Sequence, residues 1–141
     1  MALGLLAGPI AAAGGRVEDQ VKLRGQVQKY IRYNTEIVLN DAQRRVKEEA
    51  LSAIPAPCCA EYSILTCCCP CNLAKAVWGM SHYLIARKGM EAAQVRGAVE
   101  RWIAAINPAG FSGQACHEGG CGRAFHKNGC GGMNEDRLIL R

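Results

Sequence analysis

The chain has 141 residues, a formal net charge of +5, 21% charged residues and 50% apolar residues. That is about one domain with enough apolar content for a core of its own, so neither disulfides nor a metal is obligatory for folding at this size. The balance excludes a disordered chain, a collagen, a coiled-coil rod and a polytopic membrane protein. The outlier is cysteine. Nine residues are too few for a small disulfide scaffold, and they are bunched.

Residues 2–13 (ALGLLAGPIAAA) form a short apolar run that ends in small residues before Arg16. Spanning a bilayer as a helix takes roughly 20 residues, so this run does not reach. It fits the apolar region of an export signal or a membrane attachment, although no Lys or Arg precedes Arg16. The alternative is an apolar segment packed on the domain or on a partner. The first reading places the protein in the bacterial envelope, periplasmic or membrane-associated. The second leaves the cytoplasm open.

Residues 16–54 lack proline, and Val17, Val21, Val27, Ile31, Val38, Ala42, Val46, Ala50 and Ile54 recur at roughly helical spacing. One long helix or two shorter ones are expected, with a break at Asn34-Thr35 or Asn40-Asp41, because Asn and Asp cap helices well. A strand around 36–39 is the weaker alternative. Pro55, Pro57 and Pro70 then bound a loop. Residues 71–88 read as a helix with Pro70 suited to its first turn and Gly89 as its C-terminal stop. A second helix runs from about Glu91 to Ile106, stopped by Asn107-Pro108. So short a connection predicts an antiparallel helical hairpin. Residues 109–133 change character: eight of the 23 residues from Gly110 to Gly132 are glycine. Such a segment has little side-chain surface to bury, and ligand bonds are what could order it. The tail, 134–141, ends in Leu138, Ile139 and Leu140, which could dock on the core.

Three cysteine constellations carry the chemistry. Cys67-Cys68-Cys69-Pro70-Cys71 contains a C-x-x-C, Cys68 to Cys71, at the start of a helix. There the helix dipole and unpaired N–H groups favour thiolate, which suits a redox dithiol and equally a soft-metal ligand. Asn72 in place of His excludes a c-type haem site. Cys58-Cys59 lies eight or nine residues upstream, and a loop could bring it onto the first cluster. Neighbouring cysteines bridge each other poorly, so runs of two and three suit a thiolate nest better than a disulfide framework. The third constellation is Cys116-His117, Cys121, His126, Cys130 and Met133. Its spacings match no standard zinc module, but Cys and Met select Cu(I), and Cys with His suits zinc. The Cys130-Gly131-Gly132-Met133 ending tilts the balance toward copper. Nine cysteines also leave one unpaired in any all-disulfide scheme.

His82 lies eleven residues beyond Cys71 and could share its face, although a satisfied or exposed histidine is the commoner case. Trp78 and Trp102 are expected in the helix–helix core. Lys22, Arg24, Lys29 and Arg32 are interleaved with acids and read as a solvated face, not as a nucleic-acid site. No P-loop, dinucleotide fingerprint, G-x-S-x-G or H-E-x-x-H occurs, so an enzyme is the less favoured class.

Cys68-x-x-Cys71, the helix, Gly89 and a second helix carrying Val95-Arg96 together resemble the CcmH type of cytochrome c maturation protein. The cysteine-rich turn before a helical hairpin is also similar to the PCYCGC-motif proteins. Either resemblance covers residues 67–106. The first implies a small helical bundle in the envelope that handles apocytochrome thiols, with Cys68 and Cys71 matching its redox pair. The extra thiols and the Cys/His/Met segment depart from that pattern.

The expectation is therefore an all-α domain. A long N-terminal helix or helix pair packs on a helical hairpin over 16–108, with its cysteine-rich turn at 58–71, after a distinct segment 1–15. A Cys/Gly-rich metal-binding loop within 109–141 folds back on the domain. The expected function is soft-metal binding, copper(I) or zinc, as chaperone, store or structural centre. The candidate ligands are Cys67, Cys68, Cys69, Cys71, Cys116, Cys121 and Cys130, then Cys58, Cys59, His117, His126 and Met133. The alternatives are an envelope thiol–disulfide oxidoreductase using Cys68 and Cys71, an Fe–S carrier, and an accessory subunit of a larger membrane complex.

Overall fold

Asn40 divides the N-terminal periodicity into two helices. In the computed structural model, which describes residues 17–67 and 69–141, α1 spans Val17–Glu36 and α2 spans Asp41–Ser52. Asn40 Oδ1 accepts a hydrogen bond from the Gln43 backbone N–H at 2.8 Å, and the Gln43 side chain accepts one from the Asn40 N–H at 2.9 Å. These bonds satisfy donors that a helix start otherwise leaves bare. Of the two breaks foreseen, the chain uses Asn40-Asp41, and α1 runs unbroken through Asn34-Thr35. Residues 37–39 are irregular rather than a strand. They alternate in burial, with Ile37 and Leu39 inside and Val38 exposed. Replacing Asn40 with alanine is expected to cost about 1 kcal/mol, read as a lower denaturation midpoint at unchanged slope.

The next two helices are α3, Asn72–Ala86, and α4, Ala92–Ile106. Pro70 falls just outside the first turn of α3, because Cys71 is the N-cap and its sulfur accepts from the Ala74 N–H at 3.4 Å. Leu73, Ala74, Ala76 and Val77 are fully buried, so α3 forms the centre of the fold. α3 and α4 touch, but α3 has its larger contact with α1, and α4 has its larger contact with α2. Gly79 explains the first pairing. A Cβ at this position would overlap the Tyr30 carbonyl and crowd the Asn34 backbone nitrogen, so only glycine lets the two backbones meet. Around that contact, Tyr33 stacks on Tyr83 with ring centroids 5.0 Å apart, and Trp102 meets Tyr30 edge-on at 5.7 Å. Trp102 Nε1–H also donates to Gln26 Oε1 at 2.7 Å, tying α4 to α1.

A short antiparallel pair, β1 (Pro55–Ala56) with β2 (Cys59–Ser63), follows α2. An all-α reading omits it. Its origin is local, because Pro57 disfavours helical geometry for Ala56 and holds it extended.

Residues 109–141 carry three single 3-10 turns, Gly120–Gly122, Phe125–Lys127 and Glu135–Arg137, in otherwise irregular backbone. The segment folds back onto α3 through Asn72. The Asn72 N–H donates to the Gly132 carbonyl at 2.8 Å, and its Nδ2 donates to the carbonyls of Gly131 at 2.9 Å and Asn134 at 2.8 Å. Phe125 is buried edge-on against Trp102, and Leu138 and Leu140 reach the core. Gly131, at φ +79°, passes so close to the Phe125 ring that a Cβ would strike it. Arg24 donates to the Leu138 carbonyl at 3.0 Å. Among the described residues no helix is long and apolar enough to cross a membrane. The apolar run 2–13 lies outside the described residues.

Candidate metal centre

Backbone pairing brings three cysteine-bearing segments together at the start of α3. The Cys116 N–H donates to the Cys58 carbonyl at 2.9 Å, and the Ala60 N–H donates to the Gly113 carbonyl at 2.8 Å. The glycine-rich segment thus runs beside the residues that open β2. On its other side, the Leu73 N–H donates to the Cys130 carbonyl at 3.0 Å. The segment also folds tightly on itself: a Cβ at Gly120 or at Gly129 would overlap the carbonyl of Ala115 or of Arg123.

The sulfurs of Cys58, Cys67 and Cys71 all lie within 4.8 Å of one another, as do those of Cys69, Cys116 and Cys121. The Cys58 and Cys67 sulfurs are 3.3 Å apart. The first triad is the deeper one, with Cys58 at 1% and Cys71 at 0% exposure; the three sulfurs of the second belong to half-buried residues. A tight turn separates the two sets, in which the Cys71 N–H donates to the Cys69 carbonyl at 2.8 Å. Cys67 and Cys71 thereby join one triad and Cys69 the other. The buried thiol of Cys130 stands between them, hydrogen-bonded to Cys71 of the first and Cys121 of the second.

So many sulfurs in one place cannot all be anionic without a cation. Hydrogen bonding to Cys130 pushes the Cys71 thiol up, with further bonds to Cys58 and Cys67 and burial acting in the same direction. The Cys67 bond likewise pushes up Cys58, while burial and the charge of Cys130 raise Cys121. Cys130 is the counterpart. The bond from Cys71, aided by the Gly132 backbone and by Cys121, pulls it down to about 7 against its burial. The sequence suggests an acidic thiol at the helix start, yet Cys71 holds its proton because it donates to a more acidic neighbour. A soft cation would take the place of these shared protons, since ligation deprotonates coordinating thiols.

Seven of the candidate ligands therefore meet in one nest. Cys59 is buried on β2 outside both triads, His117 and Met133 are exposed, and His126 is half-buried; none of the four belongs to a triad. Cys68 lies outside the described residues, so the C-x-x-C pair is placed only at Cys71. Sequence reasoning missed Asn72, which ties the ligand-bearing segment to α3. Its signal is an asparagine one position after a helix cap, with a side chain free to reach a neighbouring backbone.

His82 does not join the nest. Its Nδ1–H donates to the Ile37 carbonyl at 2.7 Å, leaving Nε2 to accept from Lys47 Nζ at 2.9 Å. Both groups line a cleft of about 330 Å³ with Ile37, Leu39, Arg44 and Glu48. Burial and then the Lys47 charge lower the His82 pKa, against the opposing bond to Ile37. Burial lowers that of Lys47 against the pull of Glu48. The neutral imidazole is thus favoured in the folded state. Its contribution to stability is complete above the unfolded value of about 6.5 and is lost as pH falls from there through the lower folded value. Melting curves between pH 7.5 and 5 are expected to show a steeper acid loss for the parent protein than for His82→Gln. Equal slopes would remove His82 from the account.

Compared with protein-family models, with curated proteins and with solved structures, the chain gives no match in any of the three.

Proposed function

We propose that the protein binds soft transition-metal ions in this cysteine nest, zinc foremost and copper(I) as the competing occupant. The ions act as a structural centre that fastens residues 109–133 to the helical domain. The observation that carries this reading is the pair of sulfur triads, each confined within 4.8 Å. Zn–S bonds of about 2.3 Å put the ligands of a tetrahedral ion roughly 3.8 Å apart, which such a group reaches with small side-chain shifts. An all-thiolate donor set suits zinc and copper(I) alike, and a closed set of four is the tetrahedral geometry of structural zinc. Met133, whose place in the sequence suggests copper, is 42% exposed and lends copper no support. An Fe–S cluster fits less well, because its inorganic core stands between the cysteines and spreads them apart. Thiol–disulfide exchange requires an accessible attacking sulfur; Cys71, with no exposure, is not that sulfur, which leaves the role to Cys68. Attachment to an envelope complex would use residues 2–13 or the Leu138–Leu140 tail, and Leu138 and Leu140 are buried in this fold.

Purification without oxygen, elemental analysis and thiol titration test the proposal together. The expected result is stoichiometric zinc or copper, with the nest thiols unreactive until a strong chelator or denaturant is added. Metal-free protein whose thiols react at once would contradict it.

A further inference from the structure

We infer that the nest is a single binuclear centre in which the Cys130 thiolate bridges two ions. The inference rests on the metal-binding reading and adds how many ions bind and which sulfur they share. Two tetrahedral ions with separate ligands need eight thiolates. Two that share one thiolate need seven: the six sulfurs of the two triads and that of Cys130, which interacts with one member of each. The division is the right one. Cys58, Cys67 and Cys71 supply three ligands on one side, and Cys69, Cys116 and Cys121 supply three on the other. Cys130 is the sulfur hydrogen-bonded to a member of each triad, Cys71 and Cys121. A thiolate sulfur has lone pairs enough for two metal bonds, one to each triad's ion.

Position and burial support the same assignment. Cys130 is 1% exposed, and its carbonyl is fixed by the Leu73 N–H at the head of α3. Its own N–H donates to the Gly120 carbonyl at 3.0 Å, next to the second triad's Cys121. The backbone of Cys130 is thus tied to the α3 side and to the 120–122 turn at once, holding its sulfur at the junction. Cys130 would tie both ions to the glycine-rich segment. The first joins the 58–71 region to α3, and the second joins Cys69 to the glycine-rich segment.

The test is reconstitution of the full chain with cadmium-113, a spin-active substitute for zinc at thiolate sites. Native mass spectrometry should show two ions per chain. NMR should show two cadmium resonances with a scalar coupling between them, which only a shared sulfur transmits. Cys130→Ser should lower the bound metal from two equivalents to one or abolish the coupling, whereas Cys59→Ala should retain both ions and the coupling. One ion per chain, or two uncoupled resonances, would overturn the bridge and leave the metal-binding reading standing. Absence of any bound metal would overturn both. Zinc affinity of the parent and of Cys130→Ser, measured on protein whose helical content is unchanged, keeps the comparison free of simple misfolding.

Discussion

Removing the metal is expected to lower the melting temperature by about 10–20 °C. That corresponds to a loss of several kcal/mol in a chain of this size, at roughly 3–5 °C per kcal/mol. Structural zinc contributes about 10–16 kcal/mol in peptides that are unfolded without it. The loss here is smaller because Phe125, Leu138, Leu140 and the Asn72 bonds hold part of the C-terminal segment independently. Helical circular dichroism should therefore persist while residues 109–133 open. Trypsin reports this locally. The Arg123 guanidinium donates to the carbonyls of Glu118 at 2.6 Å, Lys127 at 3.1 Å and Asn128 at 3.2 Å. Cleavage after Arg123 and Lys127 should be slow in the loaded protein and fast after chelation. Equal cleavage with and without chelator would mean that no ion orders this segment.

Gly79→Ala is expected to destabilise the protein by about 3 kcal/mol, at the upper end of the range for overpacking. The obstruction is the Tyr30 carbonyl and the Asn34 nitrogen. Backbone cannot rotate aside as a side chain can, so α1 must move off α3, and the Tyr33–Tyr83 stack loosens with it. A methyl group added at Gly25, also in α1, would meet nothing within 4 Å, and Gly25→Ala should stabilise by roughly 0.5–1 kcal/mol through helix propensity. Urea unfolding of the two variants should therefore shift the midpoint in opposite directions. Two shifts of the same sign would show that the α1–α3 contact is not backbone-limited.

The helices were legible because their signals are local. Asn40 with Gln43, the apolar spacing along 73–84, and Asn107-Pro108 after α4 need no long-range information. Which helix packs on which was not legible. It turns on Gly79, which in sequence looks like a weak point in a helix and in the fold is the seat of the closest backbone approach. The β1–β2 pair escaped because two residues between prolines carry no periodicity. The thiol nest was legible as a nest, since clustered cysteines resist disulfide pairing. Its internal division was not. The separation of Cys69 from Cys67 and Cys71 depends on one tight turn, and the central place of Cys130 depends on backbone bonds to Gly120 and Leu73. Composition alone makes the glycine-rich segment look short of anchors, yet Phe125 is buried against Trp102. An aromatic ring among glycines was the available clue.

X-ray absorption at the metal edge of the anaerobically purified protein tests the central claim most directly. The account predicts a shell of sulfur scatterers alone, about four per zinc at roughly 2.3 Å. A second, metal–metal distance would come from the shared thiolate. A shell dominated by nitrogen or oxygen, or protein that carries no metal at all, would contradict it.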